Sequence, residues 1–216
     1  NMGVVTPEPG FLEGLRDLTT EHEMLLIFDE VISGFRVAFG GAQSVYGVTP
    51  DITCLGKIVG GGFPVGAYGA SAEIMSIVAP LGPMYQAGTL SGNPVAMAAG
   101  IATLDELAKP GVYEGLQANT DKLADGVIDV FRKSGVPAVV NRACGLMTVF
   151  FTSNSVTDMT SASDTDREAF GMFFHGMVDN GVYLPPSQFE AWFMSIAHTD
   201  ADIAQTLEAV ANSLPS

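Results

Sequence analysis

Two residues early in the chain are placed where side chains in enzymes do chemistry, and the first is Lys57. It follows the short apolar segment Ile52–Leu55, precedes three consecutive glycines, and is one of only four lysines in 216 residues. A lysine at the end of an apolar strand is partly desolvated, which favours the neutral amine that attacks carbonyl groups. The alternative is that the amine extends into solvent, as in most lysines. The position of Lys57 therefore predicts a Schiff-base nucleophile.

The second residue is Asp29, which ends the apolar run Met24–Phe28. A continuous apolar run is typical of a strand that is buried on both faces of a parallel sheet. Ligands in such folds bind at the carboxyl ends of the strands, where a buried carboxylate needs a cation. The alternative is that Asp29 only caps the next turn. A lysine and an aspartate at strand ends together favour pyridoxal phosphate (PLP), which uses an amine and a carboxylate facing its ring nitrogen.

Three segments around these residues resemble the class III, fold-type I PLP enzymes, and more narrowly the glutamate-1-semialdehyde 2,1-aminomutases. They read FDEVISGFR, LGKIVGGGFPVGAYG and YQAGTLSGNPVAMAAG, and the motifs GVTPD and PSQFE add to them. The Asp-Glu-Val and Gly-Lys pairs mark the whole class, whereas QAGTLSGNP and the PSxFEAxF pattern point to the aminomutases. The resemblance runs from end to end of the chain and covers the C-terminal half of such an enzyme.

This resemblance implies a role for five residues. Lys57 would bind PLP covalently and move protons, Asp29 would face the ring nitrogen, and Val31 would pack on the ring. Gly88 and Thr89 would reach the PLP phosphate of a neighbouring subunit, which implies a homodimer. Small residues with free amides before a helix suit a phosphate in their own right, although many such loops are only helix caps.

Glu190, in the segment SQFEAWF, is a further candidate catalytic residue. Class III aminotransferases that bind an α-carboxylate generally place an arginine in this region, and the arginines of this chain lie far from it in sequence. An acidic residue here resembles the aminomutases, and the alternative is a solvated surface charge. Trp192 departs from the resemblance, under which we expect a glycine, so the shape of that strand stays an open question.

The implied reaction is an intramolecular amino transfer that converts glutamate-1-semialdehyde to 5-aminolevulinate, on a route to tetrapyrroles such as porphyrins and chlorophylls. The pyridoxamine form of the cofactor would donate its amine to this small-molecule substrate, and the other amine of the diamino intermediate would return to the cofactor. Two alternatives stay open. One is an ω-aminotransferase of the same class, which uses an external amino donor, and the other is a non-catalytic subunit with the PLP fold.

The composition argues against several other classes of function. Nine basic residues stand against 24 acidic ones, giving a net charge of −15, so we expect neither nucleic acid nor an anionic membrane as a partner. No apolar stretch approaches the ~18 residues of a membrane span, and no signal peptide is visible. We expect a cytoplasmic enzyme, or a stromal one in a plant or alga. Cys54 and Cys144 lie in apolar segments without nearby metal ligands, which predicts buried thiols and no metal.

With the resemblance, the element order predicts an α/β fold: the second half of a large mixed-sheet domain, residues 1–109, then a small α+β domain, residues 110–216. Half of such a fold should expose a large apolar face. Helices are predicted at Phe11–Glu23, Ala72–Ala79, Pro94–Leu107, Val112–Ser134, Arg167–Asn180 and Asp200 to about Ser213. Strands are predicted at Met24–Phe28, Asp51–Leu55, Val65–Ala70, Ala138–Asn141 and Gly145–Thr152, with glycine-rich and polar loops at Gly34–Gly47 and Ser153–Asp166.

Overall fold

The computed structural model describes residues 1–214, which form two compact units. Residues Glu8–Val112 form one unit, which we call the lysine unit. Residues Asn1–Pro7, together with the chain from Tyr113 onward, form the second, which we call the C-terminal unit. The first seven residues thus belong with the C-terminal unit, although the predicted large domain includes them. The domain boundary at residues 109 and 110 stays a prediction.

The lysine unit is built on a three-stranded sheet in which β1 and β2 run parallel and β2 and β3 run antiparallel. A 3-10 turn, Lys57–Gly60, follows β2 directly, and we call it the lysine turn. Helix α4 packs against this turn. The elements are α1 (Phe11–Glu21), β1 (Ile27–Glu30), α2 (Gly41–Tyr46), β2 (Ile52–Leu55), β3 (Ala67–Ala70), α3 (Ala72–Met75) and α4 (Pro94–Leu107).

Strand β1 differs from its prediction in position and in burial. It begins at Ile27 because pairing with β2 starts there, where Ile27 lies opposite Ile52. Met24, Leu25 and Ile27 are 61%, 55% and 55% exposed, so the prediction of a strand buried on both faces is wrong for the described residues. The reason is that α1, which precedes the strand, contributes no buried residue to cover it. The expected exposed apolar face is confirmed.

The C-terminal unit packs its helices on an antiparallel sheet of order β4-β5-β6. Every residue of β5 is buried, and α5 contributes the buried residues Leu123, Val127 and Phe131 to the same core. The elements are α5 (Val112–Ser134), β4 (Val139–Ala143), β5 (Leu146–Phe150), α6 (Met159–Ser163), α7 (Arg167–Asp179), β6 (Trp192–Phe193) and α8 (Asp200–Ser213).

Trp192 forms a regular part of this sheet. It is 6% exposed, lies opposite Met147 in the pairing of β6 with β5, and stacks on Phe173 with 6.3 Å between ring centroids and 7° between ring planes. Because the indole fills the core between sheet and α7, the local shape of the strand is set by packing. The departure from glycine does not disrupt it.

Several local features correct the sequence predictions. The helices α2 and α6 form inside segments predicted as loops, and α6 begins with a capping box between Asp158 and Ser161. The cap of α8 is Thr199 and not Asp200, because the Thr199 hydroxyl accepts a hydrogen bond from the amide of Asp202. None of the helices in residues 1–214 combines the length and apolarity that crossing a membrane requires.

The two cysteines are half-buried and not fully buried as predicted. Cys54 lies opposite Asp29 on the exposed face of β2. Cys144 lies in the turn between β4 and β5, with a positive φ of 42°. Desolvation raises the pKa of the Cys144 thiol, which keeps it protonated and unreactive near neutral pH.

Candidate active site

Lys57 and Asp29 lie at one edge of the sheet of the lysine unit. Strands β1 and β2 are parallel neighbours, with Glu30 opposite Leu55, so both end at the same edge. Asp29 is the penultimate residue of β1, and Lys57 comes two residues after the end of β2. Both side chains are exposed. The two residues therefore follow or end parallel strands at the same edge of the sheet, and their convergence on one ligand stays a prediction.

Lys57 itself has a backbone conformation that few non-glycine residues adopt. Its φ is +49°, in the left-handed region, at the first position of the lysine turn. Such a conformation costs roughly 1–2 kcal/mol and is concentrated at functional sites. The prediction of partial desolvation is wrong for the described residues, because the chain turns away from the sheet at Gly56 and leaves the amine in solvent. Within residues 1–214 the ammonium makes no hydrogen bond or ion pair.

Val31 and Gly56 pack together between the ends of the two strands. A Cβ at Gly56 would lie 3.1 Å from Cγ1 of Val31, so the absence of a side chain at position 56 makes room for the valine. Gly56 has an extended φ of −165°, which any residue adopts, so space is the reason for glycine here. The sequence analysis noted Gly56 as part of the Gly-Lys pair but did not predict that it makes room for Val31.

The Asp29 carboxylate is held by the residue that follows the strand. The backbone amide of Val31 donates a hydrogen bond of 3.0 Å to Oδ1 of Asp29. Asp29 therefore caps the turn, as the alternative interpretation expected, and its exposed carboxylate is still able to meet a cation. The cap orients the carboxylate for that contact.

Glu30 points to the opposite face of the sheet, as the alternation of a strand requires. It is 1% exposed, and its carboxylate accepts hydrogen bonds from the Ser33 hydroxyl (2.7 Å) and from the amides of Ala42 (2.7 Å) and Gln43 (2.9 Å). Its carboxylate thus binds backbone amides and is turned away from the exposed side of the sheet. Glu30 fixes the start of α2 beneath β1.

Gly88 and Thr89 lie in an exposed loop that leads into α4. The helix is capped by Asn93, whose Oδ1 accepts hydrogen bonds from the amides of Val95 (3.0 Å) and Ala96 (3.2 Å). The loop closes through a hydrogen bond of 3.0 Å from the Ser91 amide to the Gly88 carbonyl. It borders a cleft of about 670 Å³, whose walls also include Val59, Val65 and Ile101 and do not include Lys57 or Asp29.

Glu190 belongs to the C-terminal unit, so the fold places it in a different compact unit from Lys57 and Asp29. It is half-buried, and its backbone is fixed by hydrogen bonds from its amide to the Ser187 carbonyl (3.1 Å) and from the Thr148 hydroxyl to its carbonyl (3.5 Å). Its catalytic role stays a prediction.

Arg167 lies far from Glu190 in the sequence, but the fold brings it to the segment that carries Glu190. Its guanidinium lies over the ring of Phe189, 5.2 Å from the ring centroid. Phe189 directly precedes Glu190 in the sequence. Arg167 is the first residue of α7 and lies beside the segment that carries Phe189. The two residues are far apart in the sequence, so no local pattern indicates the contact. The guanidinium contacts an aromatic face there.

The side chains at the sheet edge fit PLP. An exposed amine, an exposed carboxylate and the apolar Val31 match the aldehyde, the ring nitrogen and the ring face of that cofactor. Residues 1–214 contain no group of three or more His, Cys, Asp and Glu side chains arranged to hold a metal ion.

Comparison with known proteins shows the family to which the chain is similar. The aminotransferase class-III family model matches residues 1–214. The chain is 58% identical over 213 residues to a glutamate-1-semialdehyde 2,1-aminomutase of Desulforamulus reducens, which covers 99% of the chain and 49% of that protein. It is 57% identical over 209 residues to glutamate-1-semialdehyde 2,1-aminomutase 2 of Brevibacillus brevis, which covers 97% of the chain and 49% of that protein.

Solved structures show the same fold. An ω-transaminase from Sphaerobacter thermophilus superimposes with a TM-score of 0.91 at 36% identity, over 99% of this chain and 49% of that one. A glutamate-1-semialdehyde aminomutase from Pseudomonas aeruginosa, solved in complex with PMP, gives a TM-score of 0.86 at 25% identity, over 99% of this chain and 49% of that one. The predicted α/β fold of the fold-type I enzymes is confirmed.

The chain spans about half the length of the curated relatives it matches, and the matched part is their C-terminal half. The similarity extends over nearly all of the chain and includes the segments that carry Asp29, Lys57 and Thr89. The resemblance seen in the sequence is therefore confirmed. The chain belongs to the class-III aminotransferase family.

Proposed function

We propose that the enzyme to which this chain contributes Lys57 and Asp29 is a PLP-dependent glutamate-1-semialdehyde 2,1-aminomutase, which forms 5-aminolevulinate for tetrapyrrole synthesis. The observation that carries the proposal is the pair of exposed side chains, an amine and a carboxylate, at the end of adjacent parallel strands. The identity of 54–58% to proteins named as this aminomutase supports the choice of substrate.

The reaction itself explains why one amine and one carboxylate are needed. Substrate and product have the same atoms, because a nitrogen leaves one carbon and a nitrogen is placed on the neighbouring aldehyde carbon. No external oxidant, reductant or amino donor enters this balance. PLP, when bound, supplies a store for the amine and a sink for electrons.

Lys57 is the residue that holds the cofactor and moves protons. Its Nζ, exposed at the start of the lysine turn, removes a proton from a substrate carbon as a general base and returns it as a general acid. The backbone strain at Lys57 fits this role, since it fixes the direction in which the side chain leaves the turn.

Asp29 and Val31 complete the ring site. Asp29 keeps the ring nitrogen protonated, and the hydrogen bond from the Val31 amide holds the carboxylate in place while it does so. Val31, pressed against Gly56, offers an apolar surface to the ring. Asp29 would thus hold the ring nitrogen of PLP, and Val31 would contact the ring.

Gly88 and Thr89 bind the PLP phosphate of a neighbouring subunit in this proposal, which makes the enzyme a homodimer. The exposure of the loop in the lysine unit leaves its amides and hydroxyls accessible to a partner. Glu190 takes the place of a carboxylate-binding arginine, so that the substrate is handled at both ends without a clamp specific for an α-carboxylate.

Turnover without an amino donor tests this proposal. The enzyme is purified from its source cell and loaded with PLP. It is then incubated with glutamate-1-semialdehyde, and 5-aminolevulinate is measured with and without added amino acids. An aminomutase forms product at the same rate in both samples. Product that forms only when an amino donor is present would contradict the proposal.

The second candidate is an ω-aminotransferase, favoured by the TM-score of 0.91 to an ω-transaminase. Arg167, which lies over Phe189 beside Glu190, is the residue able to meet a donor carboxylate in that case. The same donor experiment separates the two, because an ω-aminotransferase converts its donor amine to a carbonyl compound in proportion to the product formed.

A further inference from the structure

Helix α4 approaches the lysine turn backbone to backbone at two points. Gly100 of α4 is buried, and a Cβ built on it would overlap with the carbonyl oxygen of Val59. Gly61, directly after the turn, shows the reverse arrangement: a Cβ there would overlap with the carbonyl of Ala99 and lie 2.7 Å from Oγ1 of Thr103. Each glycine therefore faces a carbonyl of the other element, which is the geometry of weak Cα–H···O contacts.

The two glycines are needed for different reasons. Gly61 has a φ of +57°, so it is required by conformation as well as by space. Gly100 lies in the middle of α4 with ordinary helical geometry, where alanine is the better helix former. Only the closeness of the Val59 carbonyl makes glycine necessary at position 100.

This contact bears on Lys57 because Val59 lies two residues after it in the same turn. Lys57 opens the turn in a strained conformation, and such conformations persist only where the surroundings hold them. An added methyl group at position 100 forces the Val59 carbonyl, and with it the turn, away from α4. The direction of the Lys57 side chain changes as a result.

We infer that Gly100 is a positioning residue, which sets the geometry of Lys57 through the close contact of α4 with the lysine turn. The inference rests on the proposed function in so far as Lys57 is taken to carry PLP. Under this inference Gly100, which lies outside the sheet edge, helps to hold the amine of Lys57 at its reacting position.

The test is the variant Gly100→Ala, made in the enzyme as the source cell makes it. A misplacement of about 1 Å reduces rates on the order of 10²-fold, so we expect that loss in kcat with little change in KM. The rate at which PLP becomes reducible onto Lys57 by borohydride should fall in the same way. The Tm should fall, because the added methyl group overlaps with the Val59 carbonyl, so kcat and PLP attachment are measured well below the Tm of the variant.

Two control variants separate positioning from general stability. Gly14→Ala changes a helical glycine of α1 in the same unit, where a Cβ would meet nothing within 4 Å, and should leave kcat and PLP attachment unchanged. Ala98→Gly weakens α4 at an exposed position without crowding the turn. If Ala98→Gly lowers kcat as much as Gly100→Ala does, helix stability is the cause and the inference is overturned.

A third variant keeps the inference testable if Gly100→Ala does not fold. Thr103→Ala removes the hydroxyl that faces Gly61 and loosens the same contact without crowding it. We expect a smaller fall in kcat and slower PLP attachment. Wild-type values for both in Thr103→Ala, or in a folded Gly100→Ala, would overturn the inference.

The readouts distinguish this inference from the proposed function. Donor-free turnover of the wild-type enzyme tests the reaction, whereas PLP attachment in Gly100→Ala relative to wild type requires only Lys57 and the cofactor. A donor-dependent enzyme in which Gly100→Ala slows PLP attachment would refute the aminomutase and retain the positioning role.

Discussion

The carboxylate of Glu30 accepts a hydrogen bond of 2.7 Å from the backbone amide of Ala42, across 12 residues of sequence. Its neighbour Asp29 faces the opposite side of the sheet and is exposed. The two adjacent acidic residues therefore have different roles. Glu30 anchors the chain between β1 and α2, and a Cβ at Gly41 would lie 2.7 Å from its carboxyl carbon. The fold of this segment depends on the buried carboxylate.

Glu30→Gln should therefore destabilise the protein without touching the reacting groups. The amide group keeps one oxygen and replaces the other with an NH2 donor, which faces the backbone amide of Ala42 or of Gln43, itself a donor. An unsatisfied buried polar group costs about 1–3 kcal/mol. Thermal denaturation should show a lower Tm. Glu21→Gln, at an exposed position of α1, serves as the control, and equal Tm values for the two variants would contradict this role.

Asp29→Asn should reduce turnover while the protein stays folded. Asparagine retains an oxygen for the Val31 amide but lacks the charge that keeps the ring nitrogen protonated. Loss of a hydrogen bond to a charged group costs roughly 1.5–3 kcal/mol, so kcat should fall roughly 10- to 100-fold. Steady-state kinetics checks this, with the exposed Asp17→Asn as control. An unchanged kcat would contradict the assignment of Asp29 to the ring nitrogen of PLP.

Asp51 should make stability depend on pH. Its Oδ2 accepts hydrogen bonds from the Leu26 amide (2.7 Å) and Arg16 (2.8 Å), and these hold its pKa below the ordinary 3.8. A lowered folded-state pKa gives stability that is present above the unfolded-state value and lost as pH falls through the folded-state value.

Asp51→Asn should accordingly have a lower Tm than wild type near neutral pH, and the difference should shrink as pH falls below about 4. Calorimetry across this range measures it. Arg16→Gln retains the hydrogen bond from the Leu26 amide to Asp51, which is the larger cause of the lowered pKa. The Tm difference between this variant and wild type should therefore depend less on pH. A Tm difference for Asp51→Asn that is constant across the range would rule out the linkage.

Trp192→Ala tests the core of the C-terminal unit. The substitution removes a buried ring that stacks on Phe173, and truncating a buried tryptophan costs about 3–5 kcal/mol. Chemical denaturation should show this loss. Met172→Ala, on α7 next to Phe173 but 66% exposed, should lose far less. A Trp192→Ala variant as stable as this control would contradict the packing role.

Local signals in the sequence predict part of this fold well. Helix α4 spans Pro94–Leu107 as predicted, because Asn93 caps it and proline occupies its first turn. Helix α5 also has its predicted bounds. Strand β1 was misplaced because its start is set by pairing with Ile52, which an apolar run does not encode.

Some features of the candidate site can likewise be predicted from the sequence, and others cannot. Apolar segments ending in Asp29 and Lys57 predict that both lie at one sheet edge, since that follows from parallel strands alone. No local pattern indicates the positive φ of Lys57, and the contact of Gly100 with Val59 joins residues that are 41 positions apart in the chain.

The most direct test of the account is to locate the lysine that carries PLP. The purified enzyme is incubated with PLP, reduced with borohydride, digested and analysed by peptide mass. The account predicts the added mass on the peptide that contains Lys57, and its loss together with turnover in Lys57→Ala, whereas the exposed Lys133→Ala should retain both. PLP fixed on a different lysine, or turnover that persists in Lys57→Ala, would contradict it.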